Sequence, residues 1–367
     1  MRIIVTGGGT GGHLFPGIAV AEAMLQRFPQ GQILFVSTDR SIDNRALASR
    51  PFARAAISCA PLKGRSLAGK LAGMARLPLS LAQALRLVRG FKPQLVLGVG
   101  GYVTGPVVLA AKLLGVPTCI HEQNSVPGMA NRTLGKIVDR IYISIPGSER
   151  FFPLGKTVLT GNPVRAEILN RAGETGDEGN TLLVLGGSQG AHRLNELVLA
   201  ALSLGVRELA GFKVIHQAGM QDREWLARAY ADLGISAQVE AFIDDMAGAY
   251  CRADLVVSRA GATTLAELMV MGRPAVFVPY PFAADDHQSS NAAFLVAGGG
   301  ARMFREKDLD PNRLRKEIFD LLCDRTRLLG MARKMKSHAR PEATEAIVAE
   351  SIRLLPGGGG RHIPPGN

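Results

Sequence analysis

The stretch IIVTGGGTGGHLFP, residues 3–16, decides the fold, because a stretch of the same kind returns far downstream as LLVLGGSQGA, residues 182–191. Each begins as a short apolar run typical of a buried strand, passes through glycines and enters a helical pattern, from Pro16 in the first case. A glycine turn of this kind leaves backbone N–H groups at a helix N-terminus, where the helix dipole favours an anion. The duplication predicts two phosphate-binding turns, one in each of two nucleotide-type α/β domains that face each other across a cleft.

The rest of the chain alternates short apolar strands with helical patterns, which predicts parallel sheets covered by helices on both faces. Residues 95–101 weakly match residues 255–261, as expected if the two halves share one plan. We therefore expect an α/β protein of two Rossmann-like domains, residues 1–160 and 161–355. A flexible glycine-rich tail is expected at residues 356–367.

Composition indicates a globular, cytosolic protein. A length of 367 residues suits about two domains, and 47% of the residues are hydrophobic. No apolar run reaches the roughly 18 residues needed to span a bilayer, and the first residues lack a signal-peptide pattern. The four cysteines are widely separated, which favours free thiols over a disulfide framework or a zinc site.

The net charge of +12 is unevenly distributed. No Asp or Glu occurs within residues 44–121, and cations alternate with leucines within residues 63–92. This basic amphipathic composition favours docking on an anionic membrane surface through Lys63, Arg65 and Lys70, although an ordinary pair of surface helices has the same pattern. Aromatic residues make up only 5% of the chain, so nucleic acid is not an expected partner.

The first glycine stretch also matches the dinucleotide fingerprint, with glycines at positions 7, 9 and 12 and Asp39 where a ribose-binding acid would stand. This pattern is weak by itself. An oxidoreductase would need only one such fold half, whereas here a second glycine turn and a distinct acidic loop follow. The oxidoreductase interpretation is therefore the minor one.

Two clusters in the first half could supply a general base. His13 lies where the glycine loop meets the helix, and the helix dipole there favours a neutral ring that can accept a proton. A histidine that only caps the helix is the alternative. His121 and Glu122 directly follow another predicted strand, at the sheet edge where parallel folds bind ligands.

In the second half, residues 258–267 have the pattern of a strand end, a small-residue turn and a helix start. The small residues would let a ligand approach backbone N–H groups. Glu267, one turn into the helix, suits the vicinal hydroxyls of a sugar, although a solvent-facing helix position is the alternative. The polar residues at 285–288 also suit hydroxyl recognition.

Eight motifs now stand in sequence. They are GGTGGHLFP (8–16), GGYV (100–103), HEQN (121–124), GNPVR (161–165), GGSQGA (186–191), FIDDM (242–246), the segment 258–267 and DHQ (286–288). In this order they resemble the family of bacterial peptidoglycan N-acetylglucosaminyltransferases, from the first strand to the region of residue 350.

The resemblance implies a reaction. N-acetylglucosamine would pass from UDP-GlcNAc, with inversion, to the C4 hydroxyl of lipid I, the undecaprenyl-diphosphate-linked muramoyl pentapeptide, to form lipid II. The implied fold is the two-Rossmann glycosyltransferase architecture, GT-B, without a cofactor or an obligatory metal. A peripheral position on the cytoplasmic face of the cell membrane is also implied, with cell-wall synthesis proteins as further partners. A sugar-nucleotide epimerase on the same fold is the remaining alternative.

The resemblance also assigns roles to residues. The backbone of Ile243 would meet the uracil and Glu267 the ribose, whereas Tyr102 would lie on the acceptor side. The remaining donor-site residues include some that would lie near the reacting centre and the acceptor diphosphate. They are Thr10, Gly11, Gly12, Asn124, Arg165, Ser188, Ala262, Thr263, Thr264, Leu265, Ala266 and Gln288. Ser289 stands where many relatives have a second glutamine. We take His13 as the catalytic base, with Glu122 as its rival.

Overall fold

The computed structural model describes residues 1–48, 50–59, 77–174, 180–187, 190–208 and 210–355. The chain divides into two compact units. One consists of Met1–Val164 together with the described residues from Glu342 onward, and the other is Arg165–Pro341. The expected tail at residues 356–367 lies outside the described residues.

Strands and helices alternate along most of the chain. The strands are β1 Arg2–Thr6, β2 Gln32–Ser37, β3 Ala53–Ala56, β4 Leu95–Gly98, β5 Thr118–Glu122, β6 Arg140–Ile143, β7 Thr157–Leu159, β8 Thr181–Leu185, β9 Lys213–Gln217, β10 Ala237–Glu240, β11 Leu255–Ser258, β12 Ala275–Phe277 and β13 Ala301–Met303. The helices are α1 Gly11–Arg27, α2 Ser41–Leu47, α3 Leu77–Phe91, α4 Thr104–Leu113, α5 Met129–Leu134, α6 Ala166–Leu169, α7 His192–Ser203, α8 Arg223–Asp232, α9 Met246–Arg252, α10 Ala262–Met271, α11 His287–Ala297, α12 Pro311–Leu322, α13 Arg325–Ser337 and α14 Ala343–Arg353.

The first unit is built on a parallel sheet of seven strands in the order β3-β2-β1-β4-β5-β6-β7. Alternate side chains of the central strand β1 enter opposite apolar layers. Ile3 and Val5 pack in the layer that contains Ile18 of α1, and Ile4 packs in the layer that contains Val107 of α4. Because both faces of β1 are covered, its sequence is continuously apolar rather than alternating.

The second unit repeats this plan with six parallel strands in the order β10-β9-β8-β11-β12-β13. Strand β11 pairs with β8 as β4 pairs with β1, so the matching segments 95–101 and 255–261 occupy equivalent places. The two predicted Rossmann-like domains are confirmed. In each sheet the chain first adds strands on one side of the first strand and later adds strands on its other side. This reversal creates a switch point at the carboxyl ends of β1 and β4 in the first sheet, and of β8 and β11 in the second. Ligands bind at such points in open α/β sheets.

The domain boundary differs from the expected one at the C-terminus. The second domain was expected to reach residue 355, but α14 packs on α1 in the first unit. Ile347 and Val348 of α14 are buried in the core layer of Ile3 and Val5. The apolar face of α14 predicts a buried helix without indicating which sheet it covers, and this explains the difference.

Within the described ranges, no helix has both the length and the apolar character needed to cross a bilayer.

Candidate active site

The first glycine turn lies at the switch point of the first sheet, between the end of β1 at Thr6 and the start of α1 at Gly11. The helix begins five residues before the expected Pro16, because the carbonyl of Thr10 already accepts the Leu14 N–H at 3.1 Å. Gly11 and Gly12 therefore belong to the first helical turn, where backbone N–H groups face outward and favour an anion.

His13 also lies in this first turn. Its Nδ1 is 3.1 Å from Oγ1 of Thr10, and its ring lies against Gly100, which follows β4. A Cβ on Gly100 would come within 2.6 Å of His13 Cδ2, and Gly100 has a φ of +100°, so both the space and the backbone require glycine there. The GGYV motif thus leaves room for the imidazole, while its Tyr102 lies beside Gly9 on the other side of the loop.

His121 and Glu122, at the end of β5, are almost completely buried. Burial lowers the pKa of His121 to about 4, so this imidazole is neutral at physiological pH. Its Nε2 lies 3.1 Å from the carbonyl oxygen of Gly161 and 3.0 Å from the hydroxyl of Ser144. The ring is therefore engaged within the unit.

The Glu122 carboxylate is surrounded by donors from the following loop and from α5. Oε1 accepts the Asn124 backbone N–H at 2.9 Å, and Oε2 accepts the Gly128 N–H at 3.2 Å and the Asn131 amide at 2.9 Å. Burial raises the pKa of Glu122, against the opposing effect of these hydrogen bonds. The Glu122 carboxylate therefore fixes the conformation of the loop between β5 and α5 and orients Asn124.

In the second unit, Glu267 lies buried in α10, not on its solvent face. Its Oε1 accepts from Nε and Nη2 of Arg165 at 3.3 and 3.2 Å, and its Oε2 accepts from the Tyr250 hydroxyl at 2.8 Å. Burial raises the pKa of Glu267 despite the opposing charge of Arg165. Two residues predicted for the donor site, Arg165 and Glu267, are thus brought together, and Tyr250 joins them without having been predicted.

Gln288 connects two loops at the carboxyl edge of the second sheet. Its Oε1 accepts the Ala260 N–H at 3.2 Å and the Tyr280 N–H at 2.9 Å. The amide of Asn291, one turn further along α11, donates to the carbonyl of Ala260 at 3.3 Å. The Gln288 side-chain oxygen is therefore used within the unit.

Of the remaining predicted donor residues, several lie in the second unit after its strands, and four lie in the first unit: Thr10, Gly11, Gly12 and Asn124. Residues 262–266 form the first turns of α10, which begins directly after β11 and the Gly261 cap. Ile243 is buried in the segment that follows β10. Ser188 lies outside the described residues, as do Lys63, Arg65 and Lys70.

Two Rossmann-like units in one chain, each built on a parallel sheet, have the architecture of the GT-B class of α/β proteins. The sequence model of the Glycosyltransferase family 28 N-terminal domain matches residues 3–143, and that of the C-terminal domain matches residues 181–347. The chain belongs to glycosyltransferase family 28 and is a glycosyltransferase.

Two full-length relatives share one name, UDP-N-acetylglucosamine–N-acetylmuramyl-(pentapeptide) pyrophosphoryl-undecaprenol N-acetylglucosamine transferase. The protein from Desulfotalea psychrophila is 48% identical over 96% of this chain and 97% of its own length. That from Geobacter sulfurreducens is 44% identical over 96% of this chain and 98% of its own length. The predicted family is confirmed.

Solved structures agree with this assignment. Acinetobacter baumannii MurG is 34% identical and superposes with a TM-score of 0.76, covering 95% of this chain and 98% of that one. A UDP-N-acetylglucosamine 2-epimerase superposes with a TM-score of 0.66 over 95% of both chains at 14% identity, which shows a shared fold alone. The interpretation as a dinucleotide-binding oxidoreductase is not supported. Asp39, the acid that such an enzyme would use for the ribose, accepts a hydrogen bond from the amide of Asn44 at 3.1 Å.

Proposed function

We propose that the protein transfers N-acetylglucosamine from UDP-GlcNAc to the C4 hydroxyl of lipid I, with inversion at the anomeric carbon, to give lipid II. The observation that carries this proposal is the 48% identity to a full-length transferase of that name across 96% of the chain. Both glycosyltransferase domains of the family are matched, so the similarity includes the units expected to hold donor and acceptor.

The second unit is proposed to bind the donor. Glu267 is a buried carboxylate at the switch point, suited to accept from the ribose hydroxyls, with Ile243 at the uracil. Residues 262–266 form the N-terminal turns of α10, a helix of ten residues whose dipole favours the donor diphosphate. Arg165, already paired with Glu267, supplies a cation beside them. Helix dipole and guanidinium together would stabilise the departing UDP.

His13 is proposed as the base that removes the proton of the acceptor hydroxyl. When Nδ1 carries the proton and donates to Thr10, Nε2 is the atom that accepts. In that tautomer the contact with Thr10 orients the ring, as a hydrogen-bond partner orients other catalytic imidazoles. Glu122 accepts four hydrogen bonds, two from Asn124 and one each from Gly128 and Asn131, and they support a structural role for this rival.

A peripheral position on the anionic inner surface of the cell membrane is proposed for the first unit. Helices α3 and α4 pack against each other and expose Leu77, Leu79 and Leu113, the last at 64%. Arg86 and Arg89 of α3 are also exposed. Exposed leucines flanked by cations suit a surface of anionic lipid, where the acceptor lipid resides.

A transfer assay tests the proposed reaction. Radiolabelled UDP-GlcNAc is incubated with the protein in the presence or absence of a lipid I analogue, and product stereochemistry is read by NMR. We expect labelled lipid with an inverted anomeric carbon, and release of UDP only when acceptor is present. Conversion of the donor to its C2 epimer without acceptor would instead establish the epimerase alternative.

The same assay tests the base. His13→Ala should lower kcat by about 10²- to 10⁴-fold, the usual contribution of general-base catalysis. UDP should still raise its melting temperature, because a ligand that binds only the folded form stabilises it. Near-normal single-turnover transfer by this variant would reject the assignment and favour Glu122.

A further inference from the structure

Asp43, in the first turn of α2, is a buried carboxylate that no role described above uses; its relative exposure is 0%. Both of its oxygens accept the Gly9 N–H, at 3.0 and 3.1 Å. The same carboxylate accepts the backbone N–H of Thr38 at 3.2 Å and the Thr38 hydroxyl. Asp43 therefore joins the end of β2 to the glycine loop that follows β1.

This contact changes what the first glycine loop offers to a ligand. The sequence predicts that its backbone N–H groups hold a phosphate, but the N–H of Gly9 is already directed at an internal anion. The carboxylate fits closely, since a Cβ on Gly8 would lie 2.5 Å from Asp43 Oδ2. In this respect the Asp43 carboxylate takes the place that a ligand anion occupies in a phosphate-binding turn.

The Gly9 peptide is also held from its other side. Arg40 donates from Nη1 to the carbonyl of Gly9 at 3.3 Å, and its guanidinium lies 5.5 Å from the centre of the Tyr102 ring. The ring of Tyr102 in turn lies 3.6 Å from the Cβ position of Gly9. Thr10, the residue whose hydroxyl contacts His13, comes directly after this fixed peptide.

We propose that Asp43 is a positioning residue for catalysis: it fixes the Gly9 peptide, and through it orients Thr10 and His13 for proton transfer. The inference rests on the proposed function, in which His13 is the base. Replacing the carboxylate by an amide leaves a single acceptor oxygen for the N–H groups of Gly9 and Thr38 and places a donor where the second oxygen was, so the loop relaxes and the imidazole loses its orientation. A misplacement of about 1 Å at a reacting group can lower a rate by about 10²-fold.

Asp43→Asn is the test variant, and Asp139→Asn is its matched control. Asp139 accepts the Thr118 N–H at 2.9 Å and the Thr118 hydroxyl at 3.1 Å, a pair of contacts like those of Asp43 with Thr38. It lies just before β6, at the amino ends of the parallel strands, whereas the glycine loop follows the carboxyl end of β1. Both variants lose a carboxylate that links strands, but only one of them touches the glycine loop.

We expect Asp43→Asn to lower kcat by 10-fold or more with an unchanged KM for UDP-GlcNAc and an unchanged thermal shift by UDP. Asp139→Asn should keep the wild-type kcat even where its melting temperature falls. Thr38→Val removes only the hydroxyl that donates to Asp43 and should show a smaller fall in kcat. Wild-type kcat in Asp43→Asn, or equal losses in the two Asn variants, would overturn the inference.

Side-chain NMR of His13 provides a readout that does not depend on activity. The ring resonances should move in Asp43→Asn and stay in place in Asp139→Asn; unmoved resonances in both would contradict the positioning role. If the wild-type protein transfers no sugar, the proposed function fails, whereas this spectral comparison still decides whether Asp43 orients His13.

Discussion

At the scale of single residues, Glu267 shows what sequence patterns can and cannot predict. Its place one turn into a helix after a small-residue turn is visible in the sequence. Its partner Tyr250 is 17 residues away, in α9, and no spacing connects the two. Their contact arises only because α9 and α10 pack against each other. Residues that position a functional side chain from another element are invisible to motif analysis for this reason.

Tyr250→Phe should weaken donor binding. It removes a hydrogen bond to a buried carboxylate, an interaction worth about 1.5–3 kcal/mol, so the KM for UDP-GlcNAc should rise about 10-fold or more. Tyr230→Phe is the control, because Tyr230 is equally buried and contacts His216 Nδ1 at 2.9 Å. Kinetics at varied UDP-GlcNAc check the prediction, and an equal KM in both variants would contradict it.

At the scale of elements, the strand–glycine–helix units are the part of the fold most accessible from sequence. Continuous apolar runs predict buried parallel strands, and the described residues of both glycine stretches lie where expected. The two edge strands of the first sheet, β3 and β7, are short, and the burial pattern of β3 is largely exposed, so neither has the long apolar run by which a buried strand is recognised in a sequence. Helix α1 begins at Gly11 and not at the expected Pro16, because this proline lies inside the helix and does not mark its start.

Helices α3 and α4 should carry the membrane attachment. Leu79 and Leu113 are 54% and 64% exposed, and burying a leucine side chain contributes about 1.5–3 kcal/mol. Leu79→Glu combined with Leu113→Glu should therefore weaken binding to phosphatidylglycerol vesicles by at least about 10-fold, measured by co-sedimentation. Charge reversal of Lys63, Arg65 and Lys70 should act in the same direction.

The control for this experiment is Leu204→Glu in the second unit, where Leu204 is 52% exposed. It should bind vesicles as the wild type does. If the double variant also binds normally, membrane docking through α3 and α4 is ruled out.

At the scale of the whole molecule, each unit encloses a neutral histidine. Burial lowers the pKa of His121 to about 4 in the first unit and that of His216 to about 3 in the second. An unfolded chain binds protons at these histidines near pH 6.5, but the folded units do not. Both histidines therefore stabilise the fold above about pH 6.5, and this contribution is lost as the pH falls toward 4.

Acid should destabilise the protein through these groups. At pH 5 each histidine should lower the free energy of unfolding by about 2 kcal/mol relative to neutral pH. His216→Gln should be less stable than the wild type at pH 7, but its stability should fall less between pH 7 and pH 5. Thermal unfolding at both pH values measures the difference. Burial raises the pKa of Glu122 and Glu267, so the effect of these two groups on stability as the pH falls has the opposite sign. Both glutamates are present in the wild type and in His216→Gln, so comparing the two proteins isolates the contribution of His216. Equal losses in the two proteins would contradict this account.

The second unit is inserted in the first, since the chain leaves the first sheet after Val164 and returns to it at Glu342. A ribosome making this protein therefore completes the second unit before the first. Until synthesis has passed α14, the layer around Ile3 and Val5 lacks Ile347 and Val348 and its apolar side chains are open to water. Chains that stop short of α14 would display this uncovered patch, and exposed apolar surface of this kind makes an incomplete chain prone to aggregation and a target for chaperones.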